Sequence, residues 1–179
     1  MGELIYVNVP VLQRGIHYMT SPYGPRTLNG KQEFHYGVDL VSYLNGSTTI
    51  DYIVAYADGV VTANSSSSER GYYVMIDHGT FRTIYQHMRY ASILQVGMEV
   101  KKGWVVGLMG NTGKSTGAHL HFGVEVDGSW VDPMPYLMAE PDDAWEWAMS
   151  VGIVRSGEDP NQTATLGRVT EMLYELSNK

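Results

Sequence analysis

The 179-residue chain contains no cysteine. That excludes a disulfide framework and any thiolate metal site, so a bound metal must be held by His, Asp or Glu. Basic residues are few and unclustered, and 12 Lys and Arg against 19 Asp and Glu leave a net charge of −7. The balance argues against a nucleic-acid ligand and against adhesion to an anionic membrane. No apolar run approaches the length that spans a bilayer. The opening MGELIYVNVP lacks the basic region and long apolar core of a signal peptide. With 44% hydrophobic and 17% charged residues, the chain is globular and long enough to bury its own core.

What is present, up to about Tyr136, is Gly, Tyr, Val and Thr in short apolar runs bounded by turn residues. Strands are expected over Ile53 to Ala63, Tyr72 to Gly79, Arg82 to Met88, Trp104 to Gly110 and Ala118 to Val126. No long segment in this part has a helical period, so the expected class is mainly β, an antiparallel sheet domain over residues 1–138. Residues 139–179 change character. Asp142 or Asp143 offers an N-cap, and Leu166, Val169, Met172, Leu173 and Leu176 share one helical face. A small helical hairpin is expected there. Neither helix can bury its apolar face alone.

The stretch GLMGNTGKSTGAHLHFGV, Gly107 to Val124, combines a glycine-rich half with a His-x-His half. A phosphate-binding loop needs a glycine five residues before Gly113-Lys114-Ser115, and that position is Leu108. The following alternation predicts a strand, whereas a phosphate loop opens a helix. The nucleotide reading fails, and Lys114 becomes an exposed loop residue.

On a strand, His119 and His121 point the same way, roughly 6.5 Å apart by strand rise. Such a pair can flank one centre. FHYGVDL adds His35 and Asp39, four residues apart in a loop entering a strand. With His121 they make an N/N/O donor set, and three protein ligands with an open fourth position is how catalytic zinc is commonly held.

These residues resemble the lysostaphin/LytM-type zinc endopeptidases of peptidoglycan. The likeness runs in order through SPYGPR, HYGVDL, VAYADGVV, GYYVMIDHG, TIYQHM and the Gly-rich HLH stretch, over about residues 20 to 126. It implies that His35, Asp39 and His121 bind Zn2+ and that His87 and His119 are the two catalytic histidines. One takes a proton from the attacking water and the other hydrogen-bonds the water or the oxyanion, in an order the sequence leaves open. Tyr23 and Arg26 match the family's aromatic-Gly-x-Arg segment, where positioning the first metal loop is the expected role. Tyr85 is expected to pack in the core or line the groove, His78 to be structural or exposed, and His17 to be incidental. Between Asp39 and VAYADG the sequence departs from the family, with a longer loop over Val41 to Ile53 beside the groove.

The implied substrate is the peptide part of bacterial peptidoglycan, in stems or cross-bridges, with action at the cell wall and no nucleic-acid or membrane partner. The oligomeric state is not legible. The C-terminal segment loosely resembles S-layer-homology-like helical units, as either a wall-targeting module or a cap packing Trp145 or Trp147 on the β domain. With no signal visible, a phage lysin or tail-associated hydrolase is favoured over a secreted autolysin. The competing reading is a non-enzymatic wall-binding or amidase-activating domain. A targeting role predicts that removing residues 141–179 weakens sedimentation with purified cell walls; unchanged binding leaves the segment a packing cap.

Overall fold

The computed structural model describes residues 5–6, 10–13, 16–28, 30–44 and 47–137. The expected helical hairpin lies outside them. Strands β1 (Ile5–Tyr6), β2 (Ile16–Ser21), β3 (Gly24–Leu28), β4 (Lys31–His35) and β5 (Val38–Leu44) come first. Next are β6 (Ser47–Thr49), β7 (Tyr52–Val54), β8 (Gly59–Ser67), β9 (Gly71–Asp77) and β10 (Arg82–Met88). β11 (Glu99–Val100), β12 (Val105–Leu108), β13 (Leu120–Val126), β14 (Ser129–Val131) and the one-turn helix α1 (Met134–Leu137) complete the described order.

The main sheet runs β1-β2-β5-β13-β10-β9-β8-β11, with β14 on β13 and β6 on β5. Its pairings are antiparallel, as the alternating, turn-punctuated sequence predicts. Two two-stranded sheets, β12-β7 and β3-β4, flank it. No helix among the described residues is long and apolar enough to cross a membrane.

β13 is the hub. On its even side Leu120, Phe122 and Val124 are fully buried beside Leu40, Tyr85, Val74 and Ile76. On its odd side lie His121 and Glu125, each 9% exposed, so both faces of the strand are covered. A strand buried on both faces reads as a continuous apolar run broken by the residues that do chemistry. AHLHFGVEV has that form. Burying Phe122 alone is worth roughly 1.5–3 kcal/mol.

The expected strand over Ile53 to Ala63 is two strands. β7 ends at Val54, and the chain bends through 55–58 before β8 leaves on a different sheet. The apolar run looks continuous across the bend because Val54 before it and Val61 after it are both core residues. The expected loop over Val41 to Ile53 is also corrected. β5 continues to Leu44 and β6 folds back on it, pairing Ser42 with Thr49 and Leu44 with Ser47. No described residue of this stretch lines the groove. The β-branched and aromatic content of VSYL and STT favours this hairpin over a loop.

His17, expected to be incidental, is not. Its Nε2 lies 3.3 Å from Oδ2 of Asp51, a carboxylate with no exposed surface. Asp51 also accepts from Ser42 Oγ at 2.6 Å and from the Tyr52 and Gln13 amides at 2.7 and 3.2 Å. This buried knot ties β2, β5 and β7 together. Replacing Asp51 with Ala leaves several donors buried without an acceptor, so equilibrium urea unfolding is expected to show a loss of about 3 kcal/mol or more. A loss below 1 kcal/mol would mean that the knot is dispensable.

Candidate active site

Antiparallel register sets the first contacts. His121 on β13 is the cross-strand partner of Asp39 on β5, so both side chains leave the same face. His35 ends β4, and the bend at Tyr36 and Gly37 returns the chain into β5, bringing positions 35 and 39 together. His35 Nε2 is 3.1 Å from Asp39 Oδ1 and 3.0 Å from His121 Nδ1, and His121 Nδ1 is 3.1 Å from Asp39 Oδ1. Three donor atoms therefore form a nearly equilateral triangle.

His35 Nδ1–H donates to the Pro22 carbonyl at 2.8 Å. A carbonyl only accepts, so Nε2 of the neutral ring presents its lone pair to the triangle. Lone pairs and a carboxylate converging at 3 Å repel unless a proton or a cation lies among them. Bonds of about 2.0–2.1 Å in tetrahedral geometry space donors about 3.3 Å apart, close to what is observed. The donor set fits a metal ion, and His35, Asp39 and His121 are the group that could hold one.

Gly37 is needed by space rather than by backbone freedom. A Cβ there would stand 2.6 Å from both His121 Nε2 and the Phe122 carbonyl. Arg26 on β3 holds the other side of the carboxylate. Its guanidinium donates to Asp39 Oδ2 at 3.1 Å, to Ser21 Oγ at 2.9 Å and to Glu33 at 2.8 and 2.9 Å. This agrees with the positioning role expected for Arg26. Tyr23 donates to the Trp130 carbonyl at 2.9 Å and packs edge-on against Phe34.

His87 reaches the site through a local distortion. In a regular strand it would follow Tyr85 into the core, where Tyr85 is fully buried. Instead, the β10–β9 register slips between Tyr85 and Met88, and His87 takes φ +61°. Such a bulge re-aims a side chain, at a conformational cost of about 1–3 kcal/mol. The His87 amide then donates to the Arg70 carbonyl at 2.9 Å, and its Nδ1–H to the Thr112 carbonyl at 2.8 Å. His119, just before β13, donates Nδ1–H to the Gly117 carbonyl at 2.8 Å. Its Nε2 lies 3.5 Å from Asp39 Oδ1. The two rings are 4.7 Å apart, centroid to centroid. Both therefore have Nδ1 spent on a backbone carbonyl and Nε2 left basic.

The glycine-rich half of GNTGKSTG explains the Thr112 contact. A Cβ on Gly71 would meet Thr112 Oγ1 at 2.2 Å, and one on Gly113 would meet the Gly71 amide nitrogen at 2.2 Å. Both glycines have positive φ. Thr112 Oγ1 in turn donates to the Met88 carbonyl at 2.6 Å. Lys114 needs correcting: exposed as expected, it nonetheless donates to Glu33 at 3.1 Å, tying the 111–117 loop to the β3–β4 hairpin.

Burial alone would raise the Asp39 carboxyl, but the imidazoles of His119, His121 and His35, each within 3.5 Å of Oδ1, outweigh it and hold Asp39 far below the carboxylate range. Burial, followed by repulsion from His119, pushes His87 down to about 4. Burial also lowers His121 against the pull of Asp39. In His119 burial lowers the pKa too, but the hydrogen bond and charge of Asp39 win and raise it. A dication among the three donors would favour the neutral form of both His87 and His119. The open groove above holds about 450 Å³, and its lining includes Arg26, Glu33, Glu69, Arg70, Lys114 and Trp130 besides the five site residues.

The model of peptidase family M23 matches residues 33–133, more than half of the chain. The chain belongs to peptidase family M23. Peptidoglycan DD-endopeptidase ShyC of Vibrio cholerae is 34% identical over 119 residues, covering 64% of this chain and 26% of ShyC. The crystallised catalytic domain of lysostaphin from Staphylococcus simulans is 32% identical, with a TM-score of 0.56 over 66% of this chain and 90% of that one. The catalytic domain of the prophage-encoded M23 protein EnpA from Enterococcus faecalis is 31% identical, with a TM-score of 0.55 over 65% and 88%. The chain spans about a quarter of the length of the curated relatives it matches.

All five residues expected at an M23 site meet in one groove, while His17 and His78 lie elsewhere. His78 is structural, bridging the Asp58 carbonyl and Thr83 Oγ1 at 2.7 and 2.9 Å, and Tyr85 packs in the core. Sequence reading misses the carbonyls of Pro22, Thr112 and Gly117, because any residue supplies a carbonyl. Only the glycines around Thr112 signal a close approach there. Gly37→Ala is expected to displace His121 and weaken metal binding about 10- to 100-fold in chelator competition, with the circular dichroism spectrum retained. Parent-like affinity would show that the close approach is not what seats His121.

Proposed function

We propose that this chain is a zinc-dependent endopeptidase that hydrolyses peptide bonds in the stems or cross-bridges of peptidoglycan. The observation that carries the reading is the triangle of His35 Nε2, Asp39 Oδ1 and His121 Nδ1, with donor atoms 3.0–3.1 Å apart beside two histidines whose Nδ1 atoms are already committed. The name of ShyC, a peptidoglycan DD-endopeptidase, supports both the reaction class and the wall substrate, and that of the antimicrobial peptidase lysostaphin supports the reaction class.

His35, Asp39 and His121 are the residues that would hold zinc, which would supply a Lewis acid for the scissile carbonyl and lower the pKa of the attacking water. His87 and His119 each offer Nε2 to a proton. One takes the proton from the attacking water and later delivers it to the leaving amine, and the other hydrogen-bonds the water or the developing oxyanion. The carbonyls of Thr112 and Gly117 keep both rings in the tautomer this requires. Arg26 holds Asp39 from its other oxygen, so the carboxylate stays oriented and ionised. The protein acts at the bacterial cell wall, and the prophage origin of EnpA supports a phage lysin or tail-associated hydrolase.

His121→Ala is expected to lose both zinc, by elemental analysis, and wall lysis, by turbidity. His119→Ala is expected to keep about one zinc per chain while lysis falls at least 100-fold. Parent-like lysis by His119→Ala would overturn the catalytic assignment.

A further inference from the structure

Three basic side chains line the groove: Arg26, Arg70 and Lys114. Two of them are neutralised. Arg26 is shared between Glu33 and Asp39, and Lys114 is paired with Glu33. Arg70 differs. Among the described residues no carboxylate lies at ion-pairing distance from it; its guanidinium carbon sits 5.2 Å from the centroid of the Tyr73 ring. Neighbouring Glu69 also lines the groove, but it is exposed and makes no ion pair with Arg70; its backbone carbonyl accepts the Lys114 amide at 2.9 Å.

Arg70 is also close to the chemistry. Its carbonyl accepts the His87 amide at 2.9 Å, so the residue is one hydrogen bond from a candidate catalytic histidine. A half-buried guanidinium cannot shed its charge, and its planar fork matches a carboxylate bidentately. Stacking on Tyr73 limits the rotamers available and pre-organises the group.

We infer that Arg70 is a carboxylate-binding specificity residue, and that the preferred substrate peptide carries a free carboxylate beside the scissile bond. The inference rests on the endopeptidase reading above. Stem peptides supply such groups, as α-carboxylates of their acidic and diamino residues and at their free ends. The groove's other cations are occupied, so discrimination between a free and an amidated carboxylate falls to Arg70.

The test uses cross-linked muropeptide dimers from walls of several cross-link types, each in native form and after carbodiimide-driven amidation. Cleavage is followed with the zinc-loaded parent, Arg70→Gln and Arg70→Lys, and equilibrium binding of the same dimers is measured in a His119→Ala background. The parent is expected to prefer a native dimer over its amidated form by about 10- to 100-fold in kcat/KM and in affinity. Arg70→Gln is expected to bring cleavage and binding of the native dimer down to the level of its amidated form, and Arg70→Lys to restore part of the difference. A preference retained in Arg70→Gln, or absent from the parent, overturns the role of Arg70 while leaving the endopeptidase reading intact. Failure of the parent to cleave or bind any dimer instead sinks the endopeptidase reading, and the role of Arg70 with it.

Discussion

The antiparallel pairing of β5 with β13 is the constraint on which the site depends, because it sets His121 opposite Asp39. A slip of one residue would turn His121 into the core and Phe122 into the groove. The register is held by what lies on the other face. Leu40, Leu120 and Phe122 are fully buried there, and exposing them would cost several kcal/mol together. Hydrophobic burial on one side of the strand thereby positions polar chemistry on the other.

Around that pairing the site is built by spending backbone groups rather than side chains. Carbonyls of Pro22, Gly117 and Thr112 each take one imidazole N–H, which leaves the opposite nitrogen of each ring basic. The same carbonyls fix ring orientation, and the support of Thr112 is steric: Gly71 and Gly113 let the start of β9 and the loop at 111–117 approach more closely than any Cβ would permit. Electrostatics then follow from placement. One deeply ionised carboxylate, Asp39, faces three histidines and is steadied from behind by Arg26.

Much of this was legible in the chain. The β class and the strands around Tyr72–Gly79, Arg82–Met88 and Ala118–Val126 follow from alternation and turn spacing, and the resemblance named the five residues that meet in the candidate site. The readings that failed did so where local pattern underdetermines partners. The single strand expected over Ile53 to Ala63 bends at 55–58, although buried apolar residues, Val54 before it and Val61 after it, make the run look continuous. The loop expected over Val41 to Ile53 is largely strand, because its pairing partner lies within the same insertion. His17 and Lys114 look idle in sequence because Asp51 and Glu33, which engage them, stand 34 and 81 residues away.

By itself the sequence determined which atoms are available: no thiolates, few cations, and His and Asp at intervals that suit a strand-borne N/N/O set. Periodicity and residue chemistry are local properties, so a linear reading captures them. Only the tertiary structure decided how His87 joins the site, since its side of the sheet depends on a bulge that reverses ordinary alternation. It also decided which groove charge is left unpaired, for ion pairing is a matter of distance between segments far apart in the chain. Arg26 and Lys114 both find Glu33, and Arg70 finds no carboxylate among the described residues.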